Sequence, residues 1–98
     1  VNPLQFEWDT RKAAANFRQH EISFEEAKTV FLDEEALVIP DEEHSTEEDR
    51  FIIMGFSMQL RILVVCHCYR QSGDVIRIIS ARKASRTERN QYERRRII

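Results

Sequence analysis

Arg77, Ser80, Arg82, Lys83 and Ser85 lie close together in the run RIISARKASRTERNQYE, residues 77–93. The run begins as a β-branched apolar strand and ends as a basic helix. A strand that delivers guanidinium groups and an ammonium to one point suits phosphate chemistry. Arginine's planar fork holds two phosphate oxygens at once. One fixed donor aimed at charge that develops in a transition state contributes roughly 3 kcal/mol. Lysine does the same, or moves a proton when desolvated. Arg77, Arg82 and Lys83 are therefore candidate catalytic residues. The same three also suit a solvated basic surface or salt bridges to the acidic half of the chain.

His44 is a further candidate, because histidine is the natural acid or base near neutral pH. The competing reading is a turn histidine, with Ser45 or Thr46 capping a short helical turn. Arg50, Arg61, Ser80, Glu88 and Tyr92 stand as candidate substrate-binding residues. Glu88 and Tyr92 lie one turn apart on the predicted last helix. Tyrosine can stack on a nucleic-acid base, but Glu88 also completes a capping box and Tyr92 is that helix's main apolar anchor. His67, in a strand among apolar neighbours, fits a structural role better than a base. The acidic segment 41–49 is rich in ligand atoms but lacks the glycine-punctuated calcium-loop pattern. Cys66 and Cys68 lack the second half of a zinc site. No metal or other cofactor is expected, and no glycine-rich phosphate loop exists.

The chain has 98 residues and a 42% hydrophobic fraction, which predicts one small domain over 1–98 with a modest core. Its net charge of −2 hides a segregation. Residues 1–49 carry 4 basic and 14 acidic side chains, and residues 50–98 carry 11 and 3. The second half attracts polyanions and the first repels them, so a polyanion is held in one orientation. No apolar run has bilayer length, and no signal-type segment opens the chain. Two cysteines, two apart on one strand, splay too far for a bridge. These features predict a cytoplasmic protein with no membrane partner.

Elements follow from the pattern. Residues around Phe6 and Trp8 predict a short edge strand or an apolar plug. Asp9 caps a helix to about His20 that buries Ala13, Ala14 and Phe17. Ser23 with Glu26 forms a capping box for a second helix, with Ile22 stapled on Ala27. Strands are expected at 37–39, 50–57, 60–69 and 75–81, the last two joined through Gly73. A last helix starts at Ser85, capped by Glu88, with a narrow apolar face that calls for a partner or RNA. The predicted class is α+β: two N-terminal helices packed on a mostly antiparallel four-stranded sheet, plus a C-terminal helix. Alternation puts Arg61, Leu63, Val65, His67 and Tyr69 on one face, against Ile62, Val64, Cys66 and Cys68. It likewise puts Val75, Arg77, Ile79 and Ala81 against Ile76, Ile78 and Ser80. The apolar faces should lie under the helices, leaving Arg61, His67, Tyr69 and Arg77 on an open side; if Arg77 is covered instead, a carboxylate must pair it.

The chain resembles the BrnT family of bacterial ribonuclease toxins. The likeness rests on Arg77-Ile78-Ile79-Ser80-Ala81-Arg82 leading into a basic helix, and on Phe6-Glu7-Trp8-Asp9 at the opening. Asn16 with His20, Ser23-Phe24-Glu25-Glu26-Ala27, Val30-Phe31 with Asp33, and His44-Ser45 with Glu48 and Arg50-Phe51 follow in the family's order, then Gly55, Ser57 and Arg61. The sequence departs from the family at Gln19 and Glu21, where a basic residue and glycine usually stand, and at Leu60, usually small. Glu21 must then end the first helix without glycine's freedom. The resemblance implies a RelE-like architecture and a toxin of a type II toxin–antitoxin system that cuts RNA. Metal-free cutting uses the RNA's own 2′-hydroxyl to attack the adjacent phosphate. It also implies a BrnA-like antitoxin that binds the toxin and contacts operator DNA on behalf of both. The residues alone leave two other readings open: a non-catalytic RNA-binding module, in which arginines only position phosphates, and a protein-interaction module.

Overall fold

The computed structural model describes residues 4–44 and 48–96; Ser45 and Thr46, expected to cap a turn, lie outside them. The elements run β1 (Gln5–Glu7), α1 (Thr10–His20), α2 (Phe24–Ala27), β2 (Leu37–Pro40), β3 (Phe51–Phe56), β4 (Ile62–Arg70), β5 (Val75–Lys83) and α3 (Arg86–Arg96). Short 3-10 turns occupy Lys28–Leu32, Glu42–His44 and Gln71–Gly73. The α+β order is as expected. The sheet differs: it has five strands, in the order β1-β5-β4-β3-β2, and it is mixed. The segment around Phe6 is a true edge strand, parallel to β5 with Glu7 opposite Arg77. The β2–β3–β4–β5 part is antiparallel throughout.

Local signals explain the helix ends. Asp9 caps α1, accepting from the amides of Arg11 at 2.8 Å and Lys12 at 3.1 Å. Those donors hold its carboxyl below the usual range. Glu21 closes α1 in the left-handed region, at φ 59°. The second helix is a single α turn that tightens into the 3-10 turn. Ser23 caps it, accepting from Glu26 N–H at 3.0 Å. The return half of that capping box is absent, because the Glu26 carboxylate is turned inward to Arg61 and Ser57. At α3 the box is complete: Glu88 N–H donates to Ser85 Oγ at 3.2 Å, and Ser85 N–H donates to Glu88 Oε1 at 2.8 Å.

The face bearing His67 is packed under the N-terminal helices, which corrects the expectation that it is open; the second face is covered only in part, by α3 through Tyr92. Leu63, Val65, Ile53, Ile78 and Ala81 pack under Ile22, Phe24, Ala27 and Val30. His67 sits on that same covered face, fully buried, edge-on to Phe31 at 4.8 Å between ring centroids. Burial pushes its pKa down, so it stays neutral. The opposite face buries Ile62, Val64 and Met54 with Ala84 and Tyr92. Strands that are apolar on both faces belong to a middle layer, and alternation alone does not say which helix covers which side. In α1, Ala13 packs on the core as expected, but Ala14 and Phe17 are exposed and Asn16 is buried in their stead.

Tyr92 anchors α3. It is 1% exposed, packs edge-on to Phe56, and its hydroxyl donates to Asp33. Asp33 also accepts from Phe56 N–H at 2.8 Å. Gly55 makes this possible, since a β-carbon there would come within 2.9 Å of Asp33 Oδ2 and 3.0 Å of the Ala36 β-carbon.

Candidate active site

β5 carries the site, and a bulge aims it. Pairing steps from Cys66 opposite Ser80 to His67 opposite Ile78, so Ile79 is left over. A bulge changes which side the following residues face. Ala81 therefore joins Ile78 in the first core, against the expected grouping with Arg77 and Ile79. Ser80 and Arg82, opposite Cys66 and Val64, turn to the second face. Beyond residue 77, β1 no longer flanks β5. Asn16 takes its place: its amide accepts from Ala81 N–H at 3.0 Å and donates to Ala81 O at 2.8 Å and Ile22 O at 3.0 Å. One buried side chain thus completes the strand edge beside Ser80 and Arg82.

On the second face lies a cavity of about 340 Å³, lined by Asp41, His44, Arg50, Cys66, Ser80 and Arg82 over an Ile52–Val64 floor. Four of the residues singled out from sequence, His44, Arg50, Ser80 and Arg82, are brought together there. His44 is 62% exposed, and its Nδ1 lies 3.0 and 3.1 Å from the two Asp41 oxygens. A carboxylate accepts, so Nδ1 is the donor, and in a neutral ring Nε2 is then the acceptor. Asp41 is fixed in turn by its N–H, which donates to Arg50 O at 2.8 Å. Arg50 Nε lies 3.9 Å from Glu48. The Cys66 thiol donates to Asp41 at 3.7 Å. Burial first, then the Asp41 charge, push that thiol up to about 11, so it stays protonated and is a poor nucleophile.

Arg82 is held by Glu88 through two parallel hydrogen bonds of 2.8 and 3.0 Å. The Arg82 fork, with the Ser85 amide, holds the Glu88 carboxyl down at about 2, and Glu88 in turn raises Arg82. Glu88 is therefore a permanent anion that fixes the guanidinium beside the cavity.

The other sequence candidates lie elsewhere. The expected trio of Arg77, Arg82 and Lys83 does not assemble. Arg77 is paired with Glu7 at 2.6 Å and is not part of the cavity wall. Lys83 stands opposite Leu63, on the other face from Arg82, because neighbours on a strand diverge. There it helps Arg61 and Ser57 hold the buried Glu26 carboxyl low, Arg61 contributing most. Arg61 itself grips Glu26 with bonds of 2.7 and 2.6 Å, so its fork is committed to the fold. Tyr92 is buried and presents no ring to a ligand. Among the described residues no group of three His, Cys, Asp or Glu side chains comes together to hold a metal.

Sequence reasoning gave Asn16 and Asp41 no part in the site. Asn16 was noted only in the family likeness, although a carboxamide among alanines on an otherwise amphipathic helix is itself a signal. Asp41 carried the i, i+3 spacing to His44 directly after Pro40, but was absorbed into an acidic loop.

Comparison with known proteins adds the family. The model of a family described as the ribonuclease toxin BrnT of type II toxin–antitoxin systems matches residues 8–88. The chain belongs to the BrnT family. Its fold is similar to the crystal structure of the Brucella abortus ribonuclease toxin BrnT, with a TM-score of 0.65 and 24% identity, over 86% of this chain and all of that one. No curated protein sequence matches. Membership in the BrnT family makes this chain a ribonuclease toxin, with RNA as substrate and an antitoxin as partner. No helix among the described residues is long and apolar enough to cross a membrane.

Proposed function

We propose that this BrnT-family chain is a metal-independent endoribonuclease whose cavity, built by His44, Arg50, Ser80 and Arg82, cuts RNA by attack of the 2′-hydroxyl on the adjacent phosphate. The observation that carries this reading is the meeting of a carboxylate-oriented imidazole and two guanidiniums in one hollow. His44 Nε2 takes the proton from the 2′-hydroxyl. The 2′-oxygen bonds to phosphorus, and the bond from phosphorus to the 5′-oxygen breaks. Products are a 2′,3′-cyclic phosphate and a 5′-hydroxyl, whose oxygen is protonated from water. Arg82 and Arg50 offset the charge that builds on the phosphorane oxygens, and the Ser80 hydroxyl donates to one of them. Arg77, Lys83 and Arg61 attract the polyanion from outside the cavity and take no part in the bond changes.

The toxin works in the cytoplasm, where its substrate lies. A BrnA-like antitoxin binds it there and carries the pair to operator DNA. The exposed, arginine-rich α3 and the acidic N-terminal half are the surfaces available to that partner. A second reading, a non-catalytic RNA-binding module, is favoured by the occupation of Arg82's fork by Glu88. Incubating purified protein with a defined RNA, with and without EDTA, separates the two. Cleavage that survives EDTA and is lost in Arg82→Ala and His44→Ala supports the ribonuclease; salt-sensitive binding without cleavage supports the module.

A further inference from the structure

The cavity does not end at its floor. Ile52 and Val64 also line a narrower groove of about 120 Å³, whose other walls include Leu37, Met54, Glu88 and Gln91. Leu37 and Gln91 in turn belong to a shelf that Arg94 and Arg95 complete. Shared walls set these three hollows side by side on the second face, between β2 and α3, as one run. Its chemistry changes along its length: a histidine and two guanidiniums with the Asp41 and Glu43 carboxylates, then an apolar floor beside Glu88 and the Gln91 carboxamide, then two guanidiniums. α3 supplies this order through Glu88, Gln91 and Arg95 at i, i+3 and i+7, one stripe of the helix. Seven residues advance about 10 Å along the axis.

We propose that this run of hollows is the track for a single-stranded RNA substrate, and that the middle groove receives the nucleobase next to the scissile phosphate, with Gln91 reading its edge. The inference rests on the ribonuclease reading and adds a specificity-determining residue to it. Unstacked bases are recognised by an apolar surface for the ring and hydrogen bonds for the edge. Leu37 and Met54 offer the first, and a carboxamide offers a donor and an acceptor side by side. Arg94 and Arg95, which form no ion pair among the described residues, then meet the next phosphate. Cations at both ends favour a polyanion over an apolar peptide as occupant.

The test is cleavage, by EDTA-treated protein, of an RNA pool that presents every base on each side of the cut, with cut sites mapped by sequencing. Gln91 is exposed, so Gln91→Leu and Gln91→Ala should melt with the wild type. Gln91→Leu is expected to change relative cutting at one flanking base by about tenfold, the discrimination of one paired contact. Arg94→Ala with Arg95→Ala is expected to raise KM and flatten its salt dependence without moving the cut sites. An unchanged cutting pattern in both Gln91 variants overturns the proposal. So does a pattern kept while neutralisation by the antitoxin is lost, which assigns the groove to the antitoxin. If the wild type cuts nothing, anisotropy with fluorescein-labelled RNA oligonucleotides decides: base-selective binding abolished in Gln91→Leu sustains the track and sinks only the ribonuclease reading, and base-blind binding sinks both.

Discussion

Asn16→Ala should be among the most damaging substitutions of a polar side chain in this protein. The side chain is 7% exposed and makes three hydrogen bonds, to Ala81 N–H, Ala81 O and Ile22 O. Each buried backbone group left without a partner costs about 1–3 kcal/mol. The vacated space can admit a water that restores part of the loss. The expected net destabilisation is about 3 kcal/mol, against a total of about 5–15 kcal/mol for a domain of this kind. A fall in Tm of about 15 °C follows for a chain of this length. Asn16→Asp keeps the acceptor for Ala81 N–H but sets a carboxylate against two carbonyl oxygens, so it should be no better. Urea unfolding read by far-UV circular dichroism measures the loss. Ser80 and Arg82 flank Ala81, so kcat for RNA should also fall in the folded fraction well below Tm. A destabilisation under about 0.5 kcal/mol, within the range of ordinary surface substitutions, would refute the assignment of Asn16 as the partner of the β5 edge.

Glu21 and Leu60 both hold positive φ, 59° and 64°, where a side chain costs about 1 kcal/mol; Glu21→Gly and Leu60→Gly should each raise the urea midpoint rather than lower it. Gly55→Ala should destabilise by about 2 kcal/mol, because the new β-carbon meets Asp33 at 2.9 Å and presses it away from Tyr92; faster amide exchange in α3 is the local readout. Glu88 has a folded pKa of about 2 against an ordinary 4.5. Its contribution is therefore fully present above about 4.5 and is lost as pH falls toward 2. In Glu88→Gln that part of the slope of Tm against pH should vanish, and an unchanged slope would count against the Arg82–Glu88 pair.

The elements legible in the sequence were those announced by local chemistry. Asp9, Ser23 and Ser85 cap where their side chains predict, and the β-branched runs of β4 and β5 are strands. What escaped was decided by tertiary contact. The bulge at Ile79 has no local signature, yet it turns Ala81 inward and sends Ser80 and Arg82 to the second face. Strict alternation failed there for that reason. Strands apolar on both sides hid the fact that α3 packs on the second face through Tyr92 and the N-terminal helices on the other, so the side bearing Arg61 and His67 was expected to be open when it is packed. β1 is too short to be distinguished from an apolar plug without its partner β5. Within the site, His44, Arg50, Ser80 and Arg82 were legible as chemistry-bearing residues. Their neighbours Arg77 and Lys83 read equally well, because sequence does not show that Glu7 takes one and strand geometry turns the other away.

The ends left on the cut RNA test the central claim most directly. EDTA-treated protein is incubated with a short, end-labelled RNA, and the products are analysed by mass spectrometry. Attack by the substrate's own 2′-hydroxyl leaves a 2′,3′-cyclic phosphate on one fragment and a 5′-hydroxyl on the other, with no product from an RNA whose 2′-hydroxyl at the cut site is methylated. A 5′-phosphate beside a 3′-hydroxyl, or cleavage that needs added divalent metal, would contradict the assignment of the His44–Arg82 cavity as a metal-free transesterification site.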